Sequence, residues 1–119
     1  MRIFLSCLIT AFSFSIGYAQ TTAMDWTRND CDSNISHHLF AELDSGYVVQ
    51  IDFDMIPTCP TCNASVHTLK PMLDDKRNQY PNRLKYYCVG YDDSYTCSQM
   101  LNWKSAQSVD APVFTGGAT

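Results

Sequence analysis

The sequence predicts an α/β domain in which three strands alternate with two helices, behind an N-terminal β-hairpin. Apolar runs suited to strands occur at residues 47–55, 83–91 and 109–114, and stretches suited to helices, 60–80 and 95–106, separate them. Strands that alternate with helices form parallel or mixed sheets with right-handed crossovers. We therefore expect a central mixed β-sheet flanked by helices.

The first 19 residues are predicted to be a secretory signal peptide. Arg2 gives a positive start, residues 3–16 are mostly apolar, and residues 17–19 end in a small-x-small cleavage pattern. The apolar stretch is shorter than the roughly 20 residues of a membrane-spanning helix. We expect cleavage before Gln20 and export to the periplasm, the cell surface or the medium, with no membrane attachment after cleavage.

Composition limits the partners of the chain. Lys and Arg number 8 against 12 Asp and Glu, and the formal net charge of −4 would become −5 once Arg2 is removed. No basic run remains, which argues against nucleic acid or an anionic membrane surface as a partner. Export implies an oxidising compartment, where disulfides persist. The predicted mature chain keeps an odd number of cysteines, so at least one lies outside any intrachain disulfide. These cysteines are Cys31, Cys59, Cys62, Cys88 and Cys97.

The hairpin and the first strand are predicted from local patterns. A turn-rich cluster at residues 29–33 lies between the extended segments 25–28 and 34–37, which predicts a hairpin. Residues 39–43 can form one helical turn. The run 47–55 is apolar at most positions, which is typical of a central strand buried on both faces.

The first long helix is predicted from Pro60 to about Tyr80. Val66, Leu69 and Leu73 fall at helical spacing and form one apolar stripe. Pro71 lies inside this segment, removes a backbone donor and is expected to kink the helix.

The second half of the domain follows the same alternation. Residues 83–91 predict a strand whose side chains point alternately to the two faces of the sheet. Ser94 is expected to cap a second helix that runs from about Tyr95 to Ala106. Residues 109–114 predict a short third strand.

The motif Cys59-Pro60-Thr61-Cys62 lies where the first predicted strand ends and a helix begins. A thiolate is the reactive form of cysteine, and a helix start stabilises it through unpaired N–H groups and the positive end of the helix dipole. Cys59 is therefore the expected attacking residue. Cys62, three residues later, can close the disulfide and release a bound partner. Pro60 suits the first helical turn and, with Thr61, is expected to tune the redox potential.

With this motif in place, the chain resembles the thioredoxin-like superfamily. The resemblance is strongest to redoxin and TlpA-like thiol-disulfide proteins of exported bacterial systems, with secreted Bacteroidetes-type proteins nearest. It runs through YVVQIDFDM, the motif, the helix after it and RLKYYCVGY, and covers nearly all of residues 24–119. The resemblance implies a thioredoxin-like fold, with Cys59 and Cys62 as a catalytic pair that acts on protein thiols or disulfides. It also implies an unidentified redox partner and no metal, flavin or nucleotide cofactor.

The sequence departs from this family at several positions. Thr58 stands where a tryptophan usually precedes the first cysteine, and His67 stands where the helix proline usually lies. The family has a buried Asp six residues before the first cysteine, but Phe53 occupies that place and Asp52 lies seven before. A one-residue insertion could realign Asp52, which could then relay protons to Cys62. The alternative is that Asp52 points elsewhere.

The C-terminal end departs most from the resemblance. The family continues to a cis-proline, a closing β-hairpin and a last helix, whereas Pro112 resembles the earlier proline-containing strand of redoxins. We therefore expect the domain at 24–119 to be incomplete, with the closing β-hairpin and the last helix missing. An open sheet edge of this kind would make the domain marginal or prone to aggregation.

Two other roles could use the cysteine pair. A zinc site needs four ligands, but Cys88 and Cys97 are too far apart and His37 and His38 are adjacent, so the spacing argues against zinc. A structural disulfide within the motif, in a secreted non-catalytic interaction module of the same fold, stays open. Cys31 could pair with Cys97, although sequence does not determine disulfide connectivity.

Overall fold

The computed structural model describes residues 23–54 and 58–116. Its elements in chain order are β1 (Thr27–Asn29), β2 (Ser36–His38), α1 (Leu39–Asp44), β3 (Val48–Asp54), α2 (Pro60–Gln79), β4 (Leu84–Gly90), α3 (Cys97–Gln107) and β5 (Val113–Phe114). The predicted signal peptide at residues 1–19 lies outside the described residues. None of the described helices is long and apolar enough to cross a membrane.

The strands form two sheets, as the α/β prediction with an N-terminal hairpin requires. β1 and β2 pair antiparallel, whereas β3, β4 and β5 lie side by side in that order and pair parallel. In this register Asp52 of β3 lies opposite Cys88 of β4, and Cys88 lies opposite Val113 of β5. The predicted order of elements is confirmed.

The position of β3 corrects one expectation. β4 is the strand with a neighbour on each side, and its last five residues are buried. Within the described ranges β3 pairs with β4 alone, and its Val48 and Phe53 are 64% and 44% exposed. An apolar run shows that a strand is suited to burial, but pairing decides which strand lies at the centre.

Side chains of β4 alternate between two hydrophobic clusters, one on each face of the sheet. Tyr86 and Cys88 point into a cluster built with α2 and α3. Tyr87 and Val89 point to the opposite face, where they meet Phe114 and Trp26.

Helix α2 packs its predicted stripe against the first of these clusters. Val66 and Leu73 are buried there, at 1% and 8% exposure, and Leu69 packs beside them. The helix continues from Pro60 to Gln79 through Pro71, which is exposed.

The cap of α3 also differs from the prediction. Thr96, not Ser94, is the N-cap: its hydroxyl accepts the Gln99 backbone N–H at 3.3 Å, and the Gln99 side chain accepts the Thr96 N–H at 2.9 Å. This reciprocal capping box satisfies two helix-end donors at once. Ser94 instead lies in the preceding turn, where its N–H donates to Asp92.

A disulfide between Cys31 and Cys97 joins the hairpin turn to the first residue of α3, across 66 positions of sequence. The sequence allows this pairing as one possibility but does not determine it. Neighbouring contacts support it: the Cys31 N–H donates to the Val113 carbonyl at 2.8 Å, and Lys104 forms an ion pair with Asp32. The hairpin is therefore fastened to both α3 and the β5 edge of the sheet.

A buried polar network fixes the hairpin and α1 to the sheet. The Glu42 carboxylate accepts hydrogen bonds from Tyr87 at 2.7 Å and Lys85 at 2.9 Å. Burial opposes ionisation of Glu42, but these two bonds hold its pKa below the usual value. His37 lies between this group and Asp30, 2.9 Å from the Asp30 carboxylate. Burial of Asp30 is likewise outweighed by its hydrogen bonds, which keep its pKa low.

Candidate active site

Cys59 is the N-cap residue of α2, which follows β3 in the chain. Its backbone is extended, with φ −82° and ψ 113°, and Pro60 occupies the first turn of the helix. A proline is well tolerated there because the N–H it lacks would have no intrahelical acceptor. The motif therefore begins α2, the helix that follows β3, as the sequence predicts. Residues 55–57, which connect β3 to the motif, lie outside the described residues.

The two motif sulfurs are in direct contact. Cys59 and Cys62 are thiols, and the Cys62 thiol donates to the Cys59 sulfur across 2.6 Å. The Cys62 backbone N–H also donates to the Cys59 sulfur, at 3.3 Å. These two bonds, with a further N–H from Thr61, lower the pKa of the Cys59 thiol. Both contacts donate toward the Cys59 sulfur, which is the direction that stabilises a thiolate.

Residues around the pair leave the motif accessible. Thr58, Pro60 and Thr61 are exposed, and both cysteines are half-buried. Thr61 contributes to the electrostatics of Cys59 through its backbone N–H. A redox-tuning role for Pro60 and for the Thr61 side chain stays a prediction.

Asp52 is held by a tyrosine. Its carboxylate accepts a hydrogen bond from the Tyr86 hydroxyl at 3.2 Å. Burial raises the pKa of Tyr86, and its contacts with Cys88 and Asp52 act in the same direction, so this hydroxyl is a donor that keeps its proton. The relay from Asp52 to Cys62 stays a prediction. Sequence alternation places Tyr86 on the same face as Cys88 but does not reveal its bond to Asp52.

One contact between two helices lies directly beside the motif. The buried Trp103 of α3 donates its indole N–H to the Asn63 side-chain oxygen at 2.9 Å. Asn63 directly follows Cys62, so this bond ties the first turn of α2 to α3. The two residues are 40 positions apart, and no motif spacing links them.

Comparisons with solved structures identify the fold. No protein-family model matches the chain, and no curated protein matches it. Solved structures do match. A candidate protein disulfide isomerase from Bacteroides thetaiotaomicron gives a TM-score of 0.65 at 18% identity, covering 81% of this chain and 57% of that one. A candidate thioredoxin from Neisseria meningitidis gives 0.61 at 18% identity, with 81% and 59% coverage.

A third structure agrees with these two. A candidate thiol:disulfide interchange protein DsbE from Chlorobium tepidum gives a TM-score of 0.55 at 17% identity, covering 78% of this chain and 59% of that one. The chain thus spans less than two thirds of the length of each solved structure. At these identities the likenesses establish a thioredoxin-like fold, as the sequence resemblance implies.

Proposed function

We propose that this chain is an exported thiol-disulfide oxidoreductase in which Cys59 attacks and Cys62 resolves. The observation that carries the proposal is the position of Cys59 at the start of α2, where a thiol and two backbone N–H groups lower its pKa. A thiolate at a helix start is the arrangement that thiol-disulfide exchange needs.

The proposed reaction has two exchanges. The Cys59 thiolate attacks one sulfur of a substrate disulfide, and the other substrate sulfur leaves as a thiolate that takes up a proton. Cys62 then loses its proton and attacks Cys59 in the mixed disulfide, which releases the second substrate thiol. The products are a Cys59–Cys62 disulfide and two substrate thiols, and the reverse sequence would donate a disulfide.

The positions of the two cysteines and of the exposed motif residues support the two exchanges. The 2.6 Å between the two sulfurs leaves Cys62 within reach of Cys59 for the resolving attack. Asp52 is the proposed acceptor of the Cys62 proton, acting from the carboxylate that Tyr86 holds. Exposed Pro60 and Thr61 leave room for a protein substrate to approach. Pro60 and Thr61 are also the proposed redox-tuning positions.

Two features support export. The Cys31–Cys97 disulfide is of a kind that persists in oxidising compartments, and the predicted signal peptide at residues 1–19 would deliver the domain at 24–119 to one. The proposed substrates are therefore protein thiols or disulfides of the periplasm, the cell surface or the medium, together with an unidentified redox partner.

The test is the redox equilibrium of the motif in glutathione buffers. Alkylation followed by mass spectrometry would read the state of each cysteine, with Cys59→Ser as the control and Cys31–Cys97 as an internal reference in the same sample. We expect a Cys59–Cys62 potential within about −120 to −270 mV, the span of working oxidoreductases. A potential below about −300 mV would contradict the proposal and favour the non-catalytic interaction module with a structural disulfide.

A further inference from the structure

We propose that Asn63 and Trp103 are positioning residues that hold the first turn of α2 in the geometry Cys59 requires. This inference rests on the proposed function, because it concerns the same nucleophile. It assigns a role to a contact between two helices that lies outside the Cys-x-x-Cys motif.

Asn63 is bonded to the active-site turn through its backbone. Its N–H donates to the Cys59 carbonyl oxygen at 3.1 Å. The preceding N–H, that of Cys62, donates to the Cys59 sulfur at 3.3 Å. The two peptide groups are consecutive, so a movement of Asn63 moves the N–H that faces the sulfur.

The Asn63 side chain connects this turn to a rigid anchor. Its oxygen accepts the indole N–H of Trp103, which is 3% exposed and lies in the main hydrophobic cluster. An indole has one N–H and accepts no hydrogen bond in return, and a buried donor requires a partner. Loss of Asn63 would remove the acceptor that this buried N–H uses.

Helix α3 is itself held in place at its start. Its first residue, Cys97, is tied to Cys31 of the hairpin turn by the disulfide. Trp103 therefore presents its N–H from an anchored helix, so the bond restrains α2 more than it restrains α3.

Geometry explains why this restraint matters for chemistry. The N–H donor of Cys62 lies 3.3 Å from the Cys59 sulfur, and hydrogen bonds weaken steeply as their angle departs from linear. A small rotation of the first turn would therefore weaken thiolate stabilisation. We expect variants that break the Asn63–Trp103 bond to have a smaller thiolate fraction at Cys59.

The experiment follows alkylation of Cys59 against pH in the full chain with the motif reduced and the Cys31–Cys97 disulfide closed, and mass spectrometry identifies the modified site. The variants are Asn63→Ala, Trp103→Phe and the double variant. Phe keeps most of the aromatic volume and removes the donor. We expect the midpoint of the pH profile to rise by about 0.5 to 1 pH unit in each single variant, a roughly threefold to tenfold loss of thiolate below the midpoint. The double variant should show no further rise, because both changes break one bond.

Two control variants separate positioning from general stability. His67→Ala removes a second bond between the same helices, in which His67 and Gln107 lie 3.0 Å apart at the surface. Thr96→Ala removes the α3 cap and lowers stability without touching Asn63. Both should leave the Cys59 midpoint where it is in the wild type, while denaturant melts record the stability that each one loses.

The outcomes distinguish this inference from the function it rests on. If the Asn63 and Trp103 variants lose stability but keep the wild-type midpoint, the bond is purely structural and the inference is overturned while the function stands. The inference is also overturned if the Thr96 control shifts the midpoint as far as they do. If wild-type Cys59 itself has the midpoint of an ordinary thiol, about 8.5, both proposals are overturned.

Discussion

Removal of the Cys31–Cys97 disulfide should strongly destabilise the fold. The bond closes a loop with a sequence separation of 66, which contains the long helix α2 and the central strand β4. In the unfolded chain this link forbids most arrangements of the segment between its ends. The Cys31→Ala/Cys97→Ala variant regains that freedom and so favours the unfolded state.

The loop length sets the expected magnitude. The chain-entropy relation gives about 4 kcal/mol at 25 °C for a loop of this size. This corresponds to roughly a thousandfold change in the ratio of folded to unfolded protein. Domains of this length have a free energy of unfolding of about 5–15 kcal/mol, so the variant would retain a folded population with a much lower midpoint.

Equilibrium unfolding in urea, followed by far-ultraviolet circular dichroism, measures the difference. Wild type and variant are compared in oxidising buffer and again with excess thiol reductant. Oxidised wild type should exceed the variant by about 4 kcal/mol, and the two should converge when reduced. Any difference that persists after reduction reports side-chain packing at Cys31 and Cys97.

A difference below about 1 kcal/mol in oxidising buffer would refute this reasoning. In that case the unfolded chain would already be constrained in this region, since residual structure in the denatured state is the main way that a native disulfide loses its entropic effect. A large difference in the free energy of unfolding that remained after reduction would also contradict the reasoning, because the disulfide would then not be its cause.

Three other changes have defined consequences for the free energy of unfolding. Glu42→Gln should cost about 2 kcal/mol at neutral pH, since the carboxylate accepts bonds from Lys85 and Tyr87. Because the pKa of Glu42 is lowered in the fold, its contribution is present above the usual value of 4.5 and is lost as pH falls through the folded value. In urea melts at pH 7, 4 and 3, the free energy of unfolding should therefore fall less between pH 7 and pH 3 in the variant than in the wild type. An equal fall in both proteins would contradict this. Thr96→Ala should cost about 1 kcal/mol by removing the α3 cap, and thermal melts that coincide with the wild type would count against the capping assignment. Ser108→Gly should gain about 0.5–1 kcal/mol because Ser108 has φ 53° and ψ 41°; a lower melting temperature would show that the Ser108 side chain stabilises the fold in another way.

Local signals predict much of the fold and the core of the site. The Cys-x-x-Cys motif follows a strand-like run and precedes a helical stripe, and its physical demands place Cys59 at the helix start, where the structure has it. Spacing alone assigns Val66 and Leu73 to the buried face of α2, and both are buried. These features depend on residues within one or two turns of each other, which is the range that periodicity and capping rules cover.

Other expectations depend on competition between local signals. Ser94 and Thr96 are both reasonable caps, and the pattern of Thr96 with Gln99 three residues later is the stronger signal because it forms a capping box. The apolar run at β3 predicts a central strand, but β4 holds that place in the described residues. Apolar content measures suitability for burial and carries no information about the partner strand.

Contacts between distant residues are only partly accessible from sequence: Cys31–Cys97 is one pairing that the sequence allows, whereas nothing in the sequence points to Trp103 and Asn63. The bond from Trp103 to Asn63 and the disulfide from Cys31 to Cys97 connect positions 40 and 66 apart. Each joins elements that only the tertiary fold brings together, and no local pattern specifies the partner of either side chain. The cysteine count limits the pairings but leaves several connectivities open.

The two cysteine pairs differ in loop length and in thiolate stabilisation, and together these argue for a division between structural and exchangeable disulfides. Closing the Cys59–Cys62 loop, three residues apart, restricts the unfolded chain by only about 2 kcal/mol, against about 4 kcal/mol for Cys31–Cys97. That difference concerns how much each cross-link stabilises the fold. Thiolate stabilisation at Cys59 favours the reduced form of the motif and so makes the Cys59–Cys62 disulfide the easier one to reduce. In one glutathione titration, Cys59–Cys62 should therefore be reduced first while Cys31–Cys97 remains closed; simultaneous reduction of both pairs would contradict this division.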